Sequence, residues 1–240
     1  PPGGAFVLHR LLDVPASVGR TLGVFSPGPV WRWDRDSILD VELSSGSLAA
    51  VSEDAALSGA NLLAIRGADG AVEIVSASNA VLTGERRFRL SGLLRGLGGT
   101  EHLAARTLPA GADVVVLDGA VVPLATSLAE IGQTWTYRIG PADRDVADPF
   151  FVSVSATTGS TALLPLAPAQ ARARRETAGI ALRWIRRTRI EGDGWGLVEV
   201  PLGEDSEAYE VDVLAGGTIV RTLSVTEPAA LYSTAAELAD

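Results

Sequence analysis

The punctuation of the first half of this chain constrains its fold more than any other feature. Between Ile38 and Leu117, short apolar stretches alternate with turn signals at intervals of about ten residues, a spacing that suits strands and leaves little room for helices. Ile38, Val41 and Leu43 lead into Ser44-Ser45-Gly46-Ser47. Asn61 to Ile65 runs into Arg66-Gly-Ala-Asp-Gly70, where Asp69-Gly70 is a strong hairpin signal, and Ala71 to Val75 returns. Val81-Leu82 and Arg87 to Leu90 flank a turn at Thr83-Gly84-Glu85, and the period of two sets Phe88 and Leu90 on one face, Arg87 and Arg89 on the other. The stretch from Phe88 to Glu101 carries the densest turn chemistry. Gly96, Gly98 and Gly99 there supply positive φ at a tight corner. Thr100 to Thr107 reads as one helical turn, and Gly111 to Leu117 as a buried strand stopped by Asp118-Gly119. Such a set of strands, joined by tight turns, folds as a small antiparallel barrel or sandwich.

The flanks extend an all-β pattern. Residues 1–32 read as strands entering from an upstream domain, with Ala5 to Leu8 and Val24-Phe25 as short pieces between Pro and Gly breaks. Trp31 and Trp33 alternate across Arg32, which predicts both indoles on one face of an extended strand. The main β-domain is expected over 33–140. It includes a short helix at Ser127 to Ile131, closed by Gly132, and an alternating strand at Thr134 to Ile139 with Trp135, Tyr137 and Ile139 on one face. Residues 141–168 form a connector that ends in the proline-bracketed Leu164-Pro-Leu-Ala-Pro168. Residues 169–240 have a separate pattern: Ile180, Leu182 and Trp184 inward on one strand, Tyr209, Val211 and Val213 inward on another, and a Gly216-Gly217 hairpin. A central Trp followed by a Tyr-x-Val-x-Val strand is similar to a fibronectin type III sandwich, which needs about seven strands. Five or six can be read, so either the domain is an atypical one or its last strand lies beyond Asp240. The opening Pro1-Pro2-Gly3-Gly4 and the lack of any Met suggest a piece of a longer chain or a processed product.

Composition closes off much chemistry. The chain has no Cys, so thiolate catalysis, disulfides and thiolate zinc sites are excluded. All 20 basic residues are Arg, which removes the P-loop lysine and the Schiff-base lysine. His9 and His102 are the only histidines, too few for a three-His metal site. A net charge of −9 argues against general nucleic-acid binding. No apolar run reaches the roughly 18 residues of a membrane span. The Gly96–Gly99 corner satisfies neither a Walker sequence nor G-x-G-x-x-G. Asp143, Asp145 and Asp148 lack the central Gly and distal Glu of a calcium loop. No G-x-S-x-G elbow presents a serine. No catalytic residue, cofactor or metal is therefore expected, and the chain reads as a non-enzyme.

The candidate partner surface is basic. Seven of the 20 Arg fall within the 18 residues from Arg172 to Arg189, in an otherwise acidic chain. Guanidinium forks suit bidentate contact with carboxylates, either on a partner or on nearby Glu199, Glu204, Glu207 and Glu210. Arg183, Arg186, Arg187 and Arg189, with Trp195 as a loop aromatic, are the candidate partner-binding residues.

Two stretches carry a family resemblance. One runs from Ser58 to Ile65, through Arg89-Leu-Ser-Gly-Leu-Leu-Arg-Gly96, to Val114 to Asp118; the other comprises Ile180 to Ile190, Gly194-Trp195, Glu199 to Glu204 and Tyr209. In order and spacing they resemble the C-terminal part of the baseplate hub ("megatron") proteins of gene transfer agents, which are phage tail-tip hub proteins. The resemblance implies a structural protein of the virion tail tip, homotrimeric around the tail axis. It implies contacts with other baseplate proteins, and a fibronectin-like domain that holds a tail fibre or touches the host surface. The alternative is a carbohydrate-binding β-sandwich module of a secreted or cell-surface protein, with Trp31, Trp33 or Trp195 stacking on sugar.

Overall fold

A computed structural model of the chain describes residues 5–190, 192, 196 and 200–240. The chain divides into two compact units, before and after the Leu164/Pro165 bond.

The first unit is built on a closed antiparallel barrel. Its strands are β1 (Val18–Thr21), β2 (Leu39–Leu43), β3 (Leu62–Arg66), β4 (Val72–Gly84), β5 (Arg87–Leu97) and β6 (Asp113–Val116), in the spatial order β1-β2-β5-β4-β3-β6. The last of these pairs back with β1, so no edge is left open. Period-two alternation fills the interior. Leu39, Val41 and Leu43 of β2 point in, as do Leu63 and Ile65 of β3, Phe88 and Leu90 of β5, and Val114 and Val116 of β6. On the outer face, Arg89 makes a bidentate contact with Asp40 at 2.8 and 2.9 Å, and Arg87 meets Glu42 at 2.8 Å. Arg89 holds the Asp40 carboxyl below its ordinary range. Phe25 and Leu108, joined by an isolated bridge, are buried with these residues in the core. A short helix α1 (Glu53–Leu57), capped by the Ser52 hydroxyl accepting from Ala55 N–H, connects β2 to β3.

Three features differ from the sequence reading. The barrel takes its first strand from the segment read as entering from upstream: β1 pairs with both β2 and β6. Trp31 and Trp33 do not share a strand. Trp31 adopts φ 63° within a bend, because Val30 bridges to Arg95 and Asp34 to Leu93 on either side and the chain must turn between them. Finally, β7 (Thr134–Ile139), expected in the main β-domain, lies outside the barrel and pairs with β8 (Val152–Thr157) as a two-stranded ribbon. Trp135, Tyr137, Ile139, Val152, Val154 and Ala156 share one face of that ribbon; threonines and serines dominate the other. The expected short helix before it is a 3-10 turn over Leu128–Glu130, with a Ser127/Glu130 capping box.

The second unit holds five strands among the described residues. β9 (Ala169–Glu176), β10 (Gly179–Ile185) and β13 (Ala229–Ser233) form one sheet in the order β13-β10-β9; β11 (Tyr209–Ala215) and β12 (Thr218–Val225) form a hairpin. Gly216 and Gly217 turn that hairpin with φ of 57° and 86°, the positive pair a two-residue turn demands. Trp184 and Tyr209 meet edge to face at 5.1 Å and join the two inner faces. Helix α2 (Thr234–Ala239) follows β13 and is tied down at both ends, by Arg175 to Glu237 and by Arg221 to Asp240.

Candidate functional site

Two polar constellations stand out, one inside the barrel and one on the second unit. The barrel constellation was not foreseen. Arg95 of β5, Glu73 of β4 and Asp34 of the loop before β2 are 2%, 0% and 2% exposed, an arrangement charged groups tolerate only when paired. Arg95 donates to both Glu73 carboxylate oxygens, at 2.7 and 3.0 Å, and to the Ser26 carbonyl at 3.0 Å. Its guanidinium carbon lies 3.8 Å from the Phe25 ring centroid, and Asp34 Oδ2 is 3.7 Å from its Nη1. The other oxygen of Asp34 accepts from the Asp36 and Ser37 backbone N–H groups.

The backbone aims Arg95 inward. Ser76 pairs with Leu94 and Ile74 with Leu97, so Arg95 and Gly96 together oppose Val75, a bulge that redirects the side chain. Gly96 sits at φ 64°, and a Cβ there would lie 2.6 Å from the Glu101 Cα. A Cβ on Gly28 would lie 2.4 Å from Asp34 Oδ2 and 2.5 Å from Arg95 Nη1. The glycine-rich corner therefore works as a clamp, binding the loop of residues 25–37 to β4 and β5. A readable signal did exist. Glu73 lies two residues from inward Val75 and so falls at core parity. Arg95, in contrast, shares the odd parity of outward Arg87 and Arg89, and turns inward only because the alternation of β5 breaks beyond Leu90, where Gly92 adopts φ 60°.

The arginine segment of the second unit separates by face. Arg183 is exposed on β10, with its Cα directly opposite Arg172 of β9. Arg186 is half-buried and donates to the carbonyls of Pro201 and Val200 at 3.0 and 2.8 Å, with Glu207 at 3.7 Å. Arg187 reaches the Ala167 carbonyl at 3.5 Å, and Arg189 meets Glu204 at 2.5 Å. Three of the four candidate arginines thus engage their own unit, and Arg183 points away with Arg172 and Arg174. Trp195 lies outside the described residues. Burial and the Glu207 carboxylate, which accepts the Tyr209 hydroxyl at 2.7 Å, push the Tyr209 phenol up to about 12.

The remaining candidates are placed as follows. Asp145 accepts from Ala147 N–H and Asp148 from Phe150 N–H, so both carboxylates cap turns of their own loop. Among the described residues no three His, Asp or Glu gather as a metal site. His9 packs edge-on to Tyr137 at 6.5 Å, and His102 is exposed on the 3-10 turn after β5. The bend at Trp31 takes the two indoles off a common strand face, and the Trp33 ring faces Arg35 at 5.9 Å instead. No helix among the described residues is long and apolar enough to cross a membrane.

The barrel is also the part that matches a known family. Residues 16–115 match the family described as Rcc01698-like, C-terminal. The matched span starts two residues before β1 and ends one residue short of the end of β6, so the match covers the closed barrel and less than half of the chain. The family name belongs to a gene transfer agent context. No curated protein matches the chain.

Proposed function

We propose that this chain is a structural component of a phage-like tail tip or baseplate, the C-terminal hub region that helps close the tail end and offers a surface for tail-fibre or host-surface attachment. The observation that carries the reading is the coincidence of the Rcc01698-like match with the closed barrel. The physical character of that barrel supports it. The interior is filled by Leu, Val, Ile and Phe side chains, and its buried charges are spent on one another rather than presented in a cleft. A part selected for assembly geometry needs this rigidity, and a catalytic centre needs the opposite, polar groups aimed at open space. In this reading the protein is not an enzyme. It forms a homotrimer around the tail axis, contacts other distal tail proteins and resides at the virion tail tip. Reconstruction of the particle at the tail tip tests this: three copies of the six-stranded barrel around the axis are expected. Particles whose tip density excludes the barrel, or measurable glycan hydrolysis by the purified chain, would overturn it.

A further inference from the structure

We infer that the second unit associates head to tail with a second copy of itself, an arginine row on one sheet taking a carboxylate row on the other. The inference rests on the ring-forming reading above only for the number of copies.

The arginine row is Arg172 and Arg174 of β9 with Arg183 of β10. Arg183 faces Arg172 in the register, and Ala181 faces Arg174, so all three guanidinium groups rise from the outer face of one sheet. Like charges directly opposite one another destabilise a strand pair. The chain has a surplus of acids, and the neighbouring arginines each find one: Arg175 has Glu237, Arg186 has Glu207, Arg189 has Glu204 and Arg221 has Asp240. Arg172, Arg174 and Arg183 have no acidic partner among the described residues. Ala181, Ala229 and Leu231, the last 48% exposed, share their face and give it an apolar floor. Arginines over an apolar floor are the composition of a protein interface rather than of a solvated face.

A complementary row exists on the same unit. Glu210 and Asp212 of β11 alternate with inward Tyr209, Val211 and Val213 and are both exposed. Their hairpin partners are Ser224 and Thr222, and no arginine meets them among the described residues. Both rows use the i, i+2 spacing of one strand, about 6.7 Å, so Arg172 and Arg174 match Glu210 and Asp212 pair for pair. The inner faces of the two sheets meet through Trp184 and Tyr209, so the two rows point away from a shared interior. Unlike patches on unlike faces give a heterologous contact, which closes into a ring or runs on as a filament.

The test is sedimentation velocity on the 240-residue chain and two charge reversals, R172E/R174E/R183E and E210R/D212R. The wild type is expected to self-associate with concentration, and about 1 M salt, where screening acts within roughly 3 Å, weakens that association. Each reversal alone abolishes it. Mixing the two reversals restores association as alternating pairs and open chains, because every contact between unlike variants is again opposite in sign, although a three-membered ring cannot alternate throughout. That rescue also shows that both variants are folded. Association that persists in both reversals overturns this interface and leaves the three-fold reading standing. A wild type that stays monomeric at every concentration overturns the interface and removes support for the trimer. Reversals that each abolish association but fail to restore it on mixing overturn the pairing of these two rows.

Discussion

Replacing Arg95 with Met tests whether the buried cluster holds the barrel together. The substitution keeps the bulk of the side chain and removes the charge, which strands Glu73 at 0% exposure and Asp34 at 2% without their cation. It also removes the donor to the Ser26 carbonyl and the guanidinium over Phe25. Breaking a buried ion pair from one side costs about 3–5 kcal/mol. With a urea slope of about 1–3 kcal/mol per molar, the barrel midpoint should fall by roughly 1–5 M. The companion variant, R95M/E73L, removes both charges and leaves Asp34 with its two backbone donors. It should recover at least half of the loss, because a buried pair is about neutral against an apolar replacement of the same volume. Two compact units preclude a single two-state transition, so the assay is native-state hydrogen exchange read on amides of β2 and β5 in the barrel, against urea. Loss of less than about 1 kcal/mol in R95M, or a double variant worse than the single, would refute the idea that unpaired charge is the dominant cost.

Other perturbations probe the same architecture. Gly96→Ala, at φ 64° with Glu101 Cα in the way, should cost about 1–3 kcal/mol and expose the β5–β6 connection to exchange before β2; an unchanged midpoint would show that the bulge relaxes freely. The Tyr209 phenol, raised to about 12 from an ordinary 10.0, contributes stability that is complete below pH 10 and is lost as the pH rises through about 12. Tyrosinate absorbance should therefore show a late step coincident with loss of the Trp184 environment, and Glu207→Gln should move that step down. Arg175 holds Glu237 below its ordinary 4.5, and Arg221 holds Asp240 below its ordinary 3.8. Both contributions are present above those values and are lost as the pH falls through the lowered ones. Helix α2 should then exchange faster under acid while β10 stays protected, and Arg175→Gln should abolish that pH dependence at Glu237.

Much of the barrel was legible because half-buried strands write their faces into the sequence. β2 and the start of β5 alternate cleanly, and the structure places Phe88 and Leu90 in the core with Arg87 and Arg89 outside. What escaped notice had physical reasons. β1 reads Val-Gly-Arg-Thr and contributes one buried residue, so it has no hydrophobic alternation to find. Its role is to offer backbone to β2 and β6 at once, and Gly19 lies so close that a Cβ would sit 2.1 Å from the Glu42 carbonyl. Trp31 and Trp33 misled for the converse reason: alternation over three residues is no evidence of a strand when two isolated bridges force a bend between them. The Arg95 bulge depends on the register of β4 against β5, which no local pattern contains.

Charge density along the sequence proved to be the wrong variable for the arginine segment, and the reason is general to sheets. Seven arginines in 18 residues look like one patch. In a strand, neighbours point to opposite faces, so adjacent arginines cannot serve one surface. Arg174 and Arg175 make the point: the first rises from the outer face, while the second crosses to Glu237 and holds α2. At the end of β10 the alternation stops at a register shift between Arg183 and Ile185, and Arg186, Arg187 and Arg189 beyond it turn back onto carbonyls and acids of their own unit. The basic surface that remains is therefore drawn from both sides of one hairpin rather than from the densest run. Parity and register, more than local charge density, decide which charges a neighbouring molecule can meet.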